Sequence, residues 1–252
     1  MAVSRDPAYR YYIMDAYPPQ GLPEEISGRW VGAEVWGASP VEIRTWYLNQ
    51  DGIGSAAGEE GKLTNRSPQT TGKDGGEYCI IWLGPEFPGD QREDDANSLT
   101  FDSPELQMDM DICGAPVVEL EVSCDRPVAN LAVRLNDVWP DGQVSRITYG
   151  LLNLTHRASH EYPSPMTVGA KTRVRIQLDD IAWRIPKGHK LRVSISTCYW
   201  PLMWPAPEAA SVTLHTGVSK LLIPLRKPTE NEPAVTFPPV EAAPEAGRKE
   251  IA

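Results

Sequence analysis

Polar and apolar residues alternate strictly along four segments of the chain. In the segment VVELEVS, Val118, Leu120 and Val122 fall on one side of an extended backbone, and Glu119 and Glu121 fall on the other. The same period of two places a second set of residues on inward faces: Leu131, Val133, Leu135, Val174, Ile176, Leu178, Leu191, Val193 and Ile195. Because each strand buries one face, these segments predict two sheets packed together.

Weaker patterns predict further strands at residues 30–35, 41–48, 78–83, 99–101, 146–154, 212–215 and 220–225. Chain reversals are predicted at WPDGQ from Trp139 and at PKGH from Pro186, because proline and glycine suit the dihedral angles of turns. Residues 51–76 lack an apolar period and predict a long surface loop. No helix of ordinary length is expected. The predicted fold class is all-β, a jelly-roll β-sandwich.

Composition divides the chain into a folded part and a tail. A hydrophobic content of 41% in 252 residues is enough for a sizeable core. We expect a lead-in segment at residues 1–28, a sandwich at 29–226 and a proline-rich tail or linker at 227–252.

Charge and cysteine usage exclude several partners. A net charge of −10 disfavours nucleic acid, which requires a clustered basic face. No stretch is apolar for long enough to predict a membrane span, and the N-terminus lacks an apolar secretory core. The four cysteines show no C-x-x-C spacing, so neither a zinc knuckle nor a redox pair is predicted. We expect a cytoplasmic protein with reduced thiols, without nucleic acid or membrane partners.

The sequence shows no recognisable catalytic serine. Serine hydrolases of the α/β class place their nucleophile in a G-x-S-x-G elbow, and the nearest strings, at Gly54 and Gly217, have the wrong spacing. No catalytic residue and no cofactor is therefore predicted.

Metal sites are weakly indicated at best. His156 and His160 would offer two nitrogens on one helical face, but nearby prolines disfavour that helix. Glycoside hydrolysis or calcium binding remains an alternative at the carboxylate pairs Asp94 with Asp95, Asp109 with Asp111 and Asp179 with Asp180. A solvated strand face is the favoured interpretation for Asp109 with Asp111. No metal site is predicted.

Six ordered motifs carry a family resemblance that runs from Arg29 to Arg226. They are RWVGAEVW, DQREDDANSLTFDSPEL, GAPVVELEVSCDRPVANLAVRLNDVWPDG, GLLNLTHRASHEYP, PKGHKLRVSIST and YWPLMWP. In these motifs the chain resembles the C-terminal jelly-roll domain of the X-prolyl dipeptidyl peptidase and cocaine-esterase family of serine acyl hydrolases.

The resemblance implies a galactose-binding-like β-sandwich that packs on an α/β-hydrolase domain and helps to wall its acyl pocket. In the family that catalytic domain precedes the sandwich and carries the serine triad, so none of the triad residues maps onto this chain. The implied partner is an α/β-hydrolase domain in cis or in trans, with self-association as the alternative for an exposed docking surface.

Seven residues are candidates for a partner interface or pocket wall. Trp200 and Trp204 lie in a proline-broken segment after a core strand, where aromatic rings face a groove or cap the core. The other five belong to the resembling motifs or border them: Trp139, His156, Arg157, His160 and Tyr199.

Two other classes of function remain open at this stage. A free-standing carbohydrate- or ligand-binding module would show a groove with exposed aromatic rings and convergent polar groups. A free-standing enzyme with an unfamiliar site would show turnover by the purified chain.

The absence of a nucleophile elbow predicts that the purified chain neither reacts with a fluorophosphonate probe nor hydrolyses p-nitrophenyl esters. Both assays report an activated serine directly. Stoichiometric labelling that disappears when a single serine is replaced would contradict this expectation.

Overall fold

The computed structural model describes residues 7–35, 41–79, 86–227 and 235–237. These residues form fifteen strands and one short helix, α1 (Arg92–Ala96). The strands are β1 (Tyr9–Asp15), β2 (Gly28–Ala33), β3 (Val41–Asn49), β4 (Gly52–Gly54), β5 (Gly61–Asn65), β6 (Leu99–Asp102), β7 (Met110–Gly114), β8 (Val117–Cys124), β9 (Asn130–Val138), β10 (Val144–Asn153), β11 (Thr172–Gln177), β12 (Ile181–Ile185), β13 (Lys190–Ser196), β14 (Val212–Thr216) and β15 (Lys220–Arg226).

Two sheets face each other across one hydrophobic core. The larger sheet has eleven strands, with β2-β1-β12-β7-β15-β8-β14-β5 as its main path and β11, β3 and β4 attached beside it. The smaller sheet has the order β10-β9-β13-β6. Side chains from both sheets, including Leu120 of β8 and Leu135 of β9, belong to one buried cluster. The predicted all-β sandwich is confirmed.

The four alternating segments form strands with their predicted inward faces buried. Val118, Leu120 and Val122 are fully buried on β8, while Glu119 and Glu121 between them are partly exposed. The inward residues predicted on β9, β11 and β13 are also buried, and Leu178 is buried just after β11. Burial of branched apolar side chains on one face therefore sets the register of these strands.

Strand β9 is buried on both faces. Arg134 and Asn136 point away from the hydrophobic core, yet neither has any exposed surface. Helix α1 lies over this outer face, where Asp95 bonds to both side chains. Polar residues at alternate positions thus mark a second, polar layer at this strand instead of a solvated face.

Both predicted reversals are turns that end in a glycine of positive φ. Gly142 has φ 87° and Gly188 has φ 89°, a backbone region that residues with a Cβ rarely adopt. The reversal at Trp139 joins β9 to β10, whose antiparallel pairing begins with Val144 opposite Val138.

The prediction of a loop at residues 51–76 was wrong in two places. Strands β4 and β5 lie within it, and β5 pairs with β14 so that Leu63 stands opposite Leu214. Strand β1 forms within the predicted lead-in and pairs with β2 and with β12. Much of the predicted strand 78–83, and nearly all of the tail, lie outside the described residues.

The sequence predicted no membrane span and reduced cysteines. No helix in the described ranges has the length and apolar character needed to cross a membrane. All four cysteines are free thiols, with Cys124 and Cys198 buried. Burial raises the pKa of both buried thiols, which keeps them protonated.

Leu120→Ala is expected to lower the free energy of unfolding by about 2–5 kcal/mol, because it opens a cavity between the sheets. Leu22→Ala is the matched control, since Leu22 is 66% exposed, and it should change stability by less than about 0.5 kcal/mol. Urea denaturation followed by circular dichroism measures both values, and equal effects would contradict the core described above.

Candidate functional site

The seven candidate residues lie at two opposite ends of the sandwich. Strand β9 begins at Asn130 and ends at Val138, and Trp139 follows directly after it. At the other end, Asn130 Nδ2 donates to the Trp204 carbonyl (3.0 Å) and the Leu154 N–H donates to the Ala129 carbonyl (2.9 Å). The loops that carry the other six candidates therefore lie at the β9 start, and the structure separates Trp139 from them.

Trp200 and Trp204 form an exposed aromatic pair. Their ring centroids are 5.1 Å apart and the planes are nearly perpendicular, at 76°. Trp200 is 39% exposed and Trp204 is 79% exposed. Beside them runs a shallow depression, whose wall is completed by Gln69, Thr70, Pro205, Ala206 and Pro207. We call these seven residues the tryptophan surface.

Backbone hydrogen bonds fix the segment that presents this surface. The Trp200 N–H donates to the Thr71 carbonyl (2.7 Å), and the Met203 N–H donates to the Tyr199 carbonyl (2.8 Å). Gln69 Nε2 donates to the Ala206 carbonyl (2.9 Å). A surface ordered in advance loses less conformational entropy when it binds, so the tryptophan pair is suited to recognition.

Tyr199 anchors the tryptophan surface from below. It has no exposed surface, and its hydroxyl donates to Gln91 Oε1 (2.8 Å) and accepts from Arg146 Nη1 (2.8 Å). The Arg134 guanidinium lies 4.9 Å from its ring centre. Burial raises the pKa of Tyr199, against the opposing charges of Arg146 and Arg134. Tyr199 therefore positions its neighbours and cannot itself touch a partner.

An ionic cluster, buried at Asp95, Arg134 and Asn136, lies next to this anchor. Asp95 accepts hydrogen bonds from Arg134 Nη2 (3.0 Å), Asn136 Nδ2 (3.2 Å) and Arg192 Nη1 (3.1 Å). Arg192 also binds Asp102 through its Nε (2.6 Å). We call Asp95, Asp102, Arg134, Asn136 and Arg192 the Asp95 cluster. Charge-assisted bonds of this kind are short and directional.

The adjacent carboxylates Asp94 and Asp95 are both buried. Asp94 is 1% exposed and Asp95 is 5% exposed. Asp94 accepts from the backbone N–H groups of Gly72 (2.7 Å) and Asp74 (3.2 Å), so it ties the preceding loop to α1. Both aspartates lie in the motif DQREDDANSLTFDSPEL, which carries part of the family resemblance but gave no sign of their burial.

The solvated interpretation of Asp109 with Asp111 was wrong for Asp111. Asp111 is 5% exposed and accepts from Arg29 Nη2 (2.5 Å) and from Arg184 Nε (2.7 Å). Burial alone would raise the pKa of Asp111. The hydrogen bonds from Arg184 and Arg29 outweigh this effect and hold that pKa below its usual value. Asp109, by contrast, is exposed, and its Oδ1 accepts from the backbone N–H of Lys187 (2.9 Å) in the turn before β13.

His156, Arg157 and His160 shape their own loop. Arg157 Nη1 donates to the carbonyls of Leu154 (3.0 Å) and Ser164 (2.7 Å), which closes the loop on itself. The two imidazole rings lie 5.4 Å apart. They do not share an α-helix, since His156 ends a short 3-10 turn. Across the described ranges, no group of three or more His, Cys, Asp or Glu side chains is placed to hold a metal.

Trp139 belongs to a buried network at the opposite end. Its Nε1 donates to Ser145 Oγ (3.0 Å), which in turn donates to the Tyr17 carbonyl (2.8 Å). The Trp139 ring packs on His189, whose Nδ1 lies 2.7 Å from Asp137 Oδ1. Burial raises the pKa of Asp137, against the effect of His189. Ser145 bonds elsewhere and does not complete a triad with this pair.

Fold and site together define a β-sandwich module with a rigid aromatic surface at one end. The chain belongs to the family of X-Pro dipeptidyl-peptidase C-terminal non-catalytic domains, whose model matches residues 2–232. The resemblance seen in the motifs is thereby confirmed.

Relatives of known sequence are longer than this chain. An inferred serine esterase of Mycobacterium bovis is 23% identical over 210 residues, which cover 71% of this chain and 32% of that protein. A protein of Mycobacterium tuberculosis with the same description matches to the same extent. The chain thus spans about a third of the length of these relatives.

Solved structures share the fold. An aminopeptidase from a marine sediment thaumarchaeote aligns with a TM-score of 0.66 and 17% identity, over 79% of this chain and 39% of its own. A CocE/NonD family hydrolase from Staphylococcus aureus aligns with a TM-score of 0.64 and 16% identity, over 87% of this chain and 41% of its own. At these identities the likeness establishes the β-sandwich fold.

Tyr199→Phe is expected to cost about 1–3 kcal/mol of unfolding free energy at neutral pH, because it removes the donor to Gln91 Oε1 and one of the two acceptors of Arg146 Nη1. Because the pKa of Tyr199 is raised in the folded state, its phenol favours folding below the unfolded pKa, and this contribution is lost as pH rises through the folded pKa. The stability difference between the two proteins should therefore shrink from pH 8 towards pH 11. A constant difference in urea denaturation across that range would contradict the assignment.

Proposed function

We propose that this chain is the accessory C-terminal β-sandwich of a serine acyl hydrolase, and that it packs on an α/β-hydrolase domain in cis or in trans. One observation carries the proposal. The chain belongs to a non-catalytic domain family and covers only 32% to 41% of the relatives cited above, which are described as an esterase, an aminopeptidase and a hydrolase. The remaining length of such relatives has room for a catalytic domain.

The tryptophan surface is the docking site that we propose for this partner. Exposed tryptophans on a fixed backbone are the residues that most often dominate a protein interface, because they bury a large area at little entropic cost. Pro205 and Pro207 lengthen the apolar area beside them. Packed on a hydrolase, this end of the sandwich would help to wall the acyl pocket, with the loop of His156, Arg157 and His160 beside it.

A ligand-binding module is the second candidate. The same depression joins two tryptophan rings to the polar side chains of Gln69 and Thr70, a combination that also suits stacking against a sugar ring. The galactose-binding-like character that the family resemblance implies for the sandwich stays a prediction, as does the cytoplasmic location. Saturable shifts of the two indole resonances on addition of galactose would favour it.

The accessory role predicts that a serine hydrolase accompanies this domain in the organism that encodes it. A cell extract of that organism is labelled with a fluorophosphonate. Antibodies against this chain then precipitate the domain from the extract, once under native and once under denaturing conditions. A labelled polypeptide in both precipitates means a catalytic domain in cis, and one in the native precipitate alone means a partner in trans. No labelled polypeptide in either would contradict the proposal.

The docking surface is tested separately, with the hydrolase identified in that experiment. If the hydrolase is a separate chain, the double variant Trp200→Ala, Trp204→Ala should lose about 2–4 kcal/mol of binding free energy. If the two domains share one chain, the double variant should be more susceptible to proteolysis between them. Leu22→Ala is the control, because it truncates an exposed apolar side chain elsewhere. Equal association of both variants would reject this surface while leaving the accessory role intact.

A further inference from the structure

Phe237, which follows the last strand by eleven residues, packs on the first hairpin of the sandwich, β1–β2. The Phe237 ring lies 4.9 Å from the Trp30 ring in an edge-to-face arrangement. The Arg10 guanidinium lies 5.4 Å from the centre of the same Phe237 ring. Arg10 Nη1 also donates to the carbonyl of Thr236 (3.3 Å). Three different interactions thus converge on two consecutive residues.

The hairpin presents its side of this contact as a preformed surface. Strands β1 and β2 pair antiparallel, with Tyr12 opposite Trp30 and Arg10 opposite Gly32. Alternate residues of a strand share a face, so Arg10 and Tyr12 stand on the same side as Trp30. The Tyr12 and Trp30 rings are 5.4 Å apart, which braces the indole from its other side. Gly32 opposite Arg10 has no side chain to obstruct the approach of a ligand.

We propose that Arg10 and Trp30 form a peptide-binding clamp, and that its ligand is the chain's own Thr236–Phe237 segment. The clamp selects an aromatic side chain through an edge-to-face contact with the indole and through the guanidinium charge. It also selects a peptide carbonyl just before that side chain, because Arg10 donates to it. The chemical class of ligand is therefore an extended peptide that carries an aromatic residue.

The path of the chain favours its own segment as the occupant. Strand β15 ends at Arg226, and Arg226 Nε donates to the Tyr11 hydroxyl of β1 (3.0 Å). The chain therefore leaves the sheet next to the strand that carries Arg10. Val235 follows Lys227 by eight positions, so the segment is tethered close to the clamp at a high effective concentration. The clamp thus holds the segment Thr236–Phe237, which follows β15, against the β1–β2 hairpin.

Fluorine NMR of the full chain, labelled with 5-fluorotryptophan, tests the clamp, with the Trp30 resonance assigned by Trp30→Phe. Phe237→Ala and Arg10→Ala should each shift the Trp30 resonance and leave that of buried Trp183 in place. Phe87→Ala is the matched control, since Phe87 is also partly exposed, at 41%, and its backbone N–H donates to the Gly21 carbonyl (3.0 Å). An unchanged Trp30 resonance in Phe237→Ala would overturn the proposal.

Peptide addition then distinguishes a binding site from a passive contact. The hexapeptide Ala-Val-Thr-Phe-Pro-Pro should restore the Trp30 resonance of Phe237→Ala saturably, and a peptide with alanine in place of phenylalanine should not. The unaltered chain should bind the hexapeptide about tenfold more weakly, because its own segment competes. Equal binding to both chains would show that the segment is not the occupant, and no binding to Phe237→Ala would show that there is no clamp.

Discussion

The ion pair between Asp95 and Arg134 is the interaction on which the outer layer of this protein depends. Both side chains are buried, and each is costly to remove from water without the other. Loss of one partner from such a pair commonly costs about 3–5 kcal/mol. The pair joins the outer face of β9 to α1, and Arg192 of β13 adds a second cation to the same carboxylate. The smaller sheet is therefore covered by polar bonds on one side and by the apolar core on the other.

This polar layer connects the strand framework to the tryptophan surface. Gln91 precedes α1 and accepts the hydroxyl of Tyr199, while the Arg134 guanidinium faces the Tyr199 ring. The next residue in the chain is Trp200, whose N–H is bound by the carbonyl of Thr71. Asp94 holds the loop of Thr71 through the neighbouring N–H of Gly72. The exposed rings are thus supported, through Tyr199 and the loop of Thr71, by the buried charges of Arg134 and Asp94.

The two ends of the sandwich use different chemistry. At the β9 start, loops present exposed aromatic rings on a fixed backbone. At the β9 end, Trp139, His189 and Asp137 form a network that turns inward and receives the lead-in through Ser145 and the Tyr17 carbonyl. The first end therefore exposes apolar area, and the second anchors the segment that follows β1.

The sequence by itself determined the sandwich and its apolar core, because strict alternation forces residues such as Leu120 and Leu135 onto inward faces. It also determined the two glycine turns and the family, through motifs that are local in the chain. It also singled out Trp200 and Trp204 as candidate interface residues, since an aromatic segment broken by prolines is visible without a structure.

Only the tertiary structure decided which polar residues are buried. Asp95 lies 39 residues from Arg134 in the chain, and an aspartate that pairs with an arginine over that separation has the same local pattern as one that faces water. The same limit hid β5, which forms because Leu63 finds a place opposite Leu214 of β14. It also hid the burial of Tyr199 and the contact of Phe237 with Trp30, because partners distant in sequence are chosen by packing and not by local periodicity.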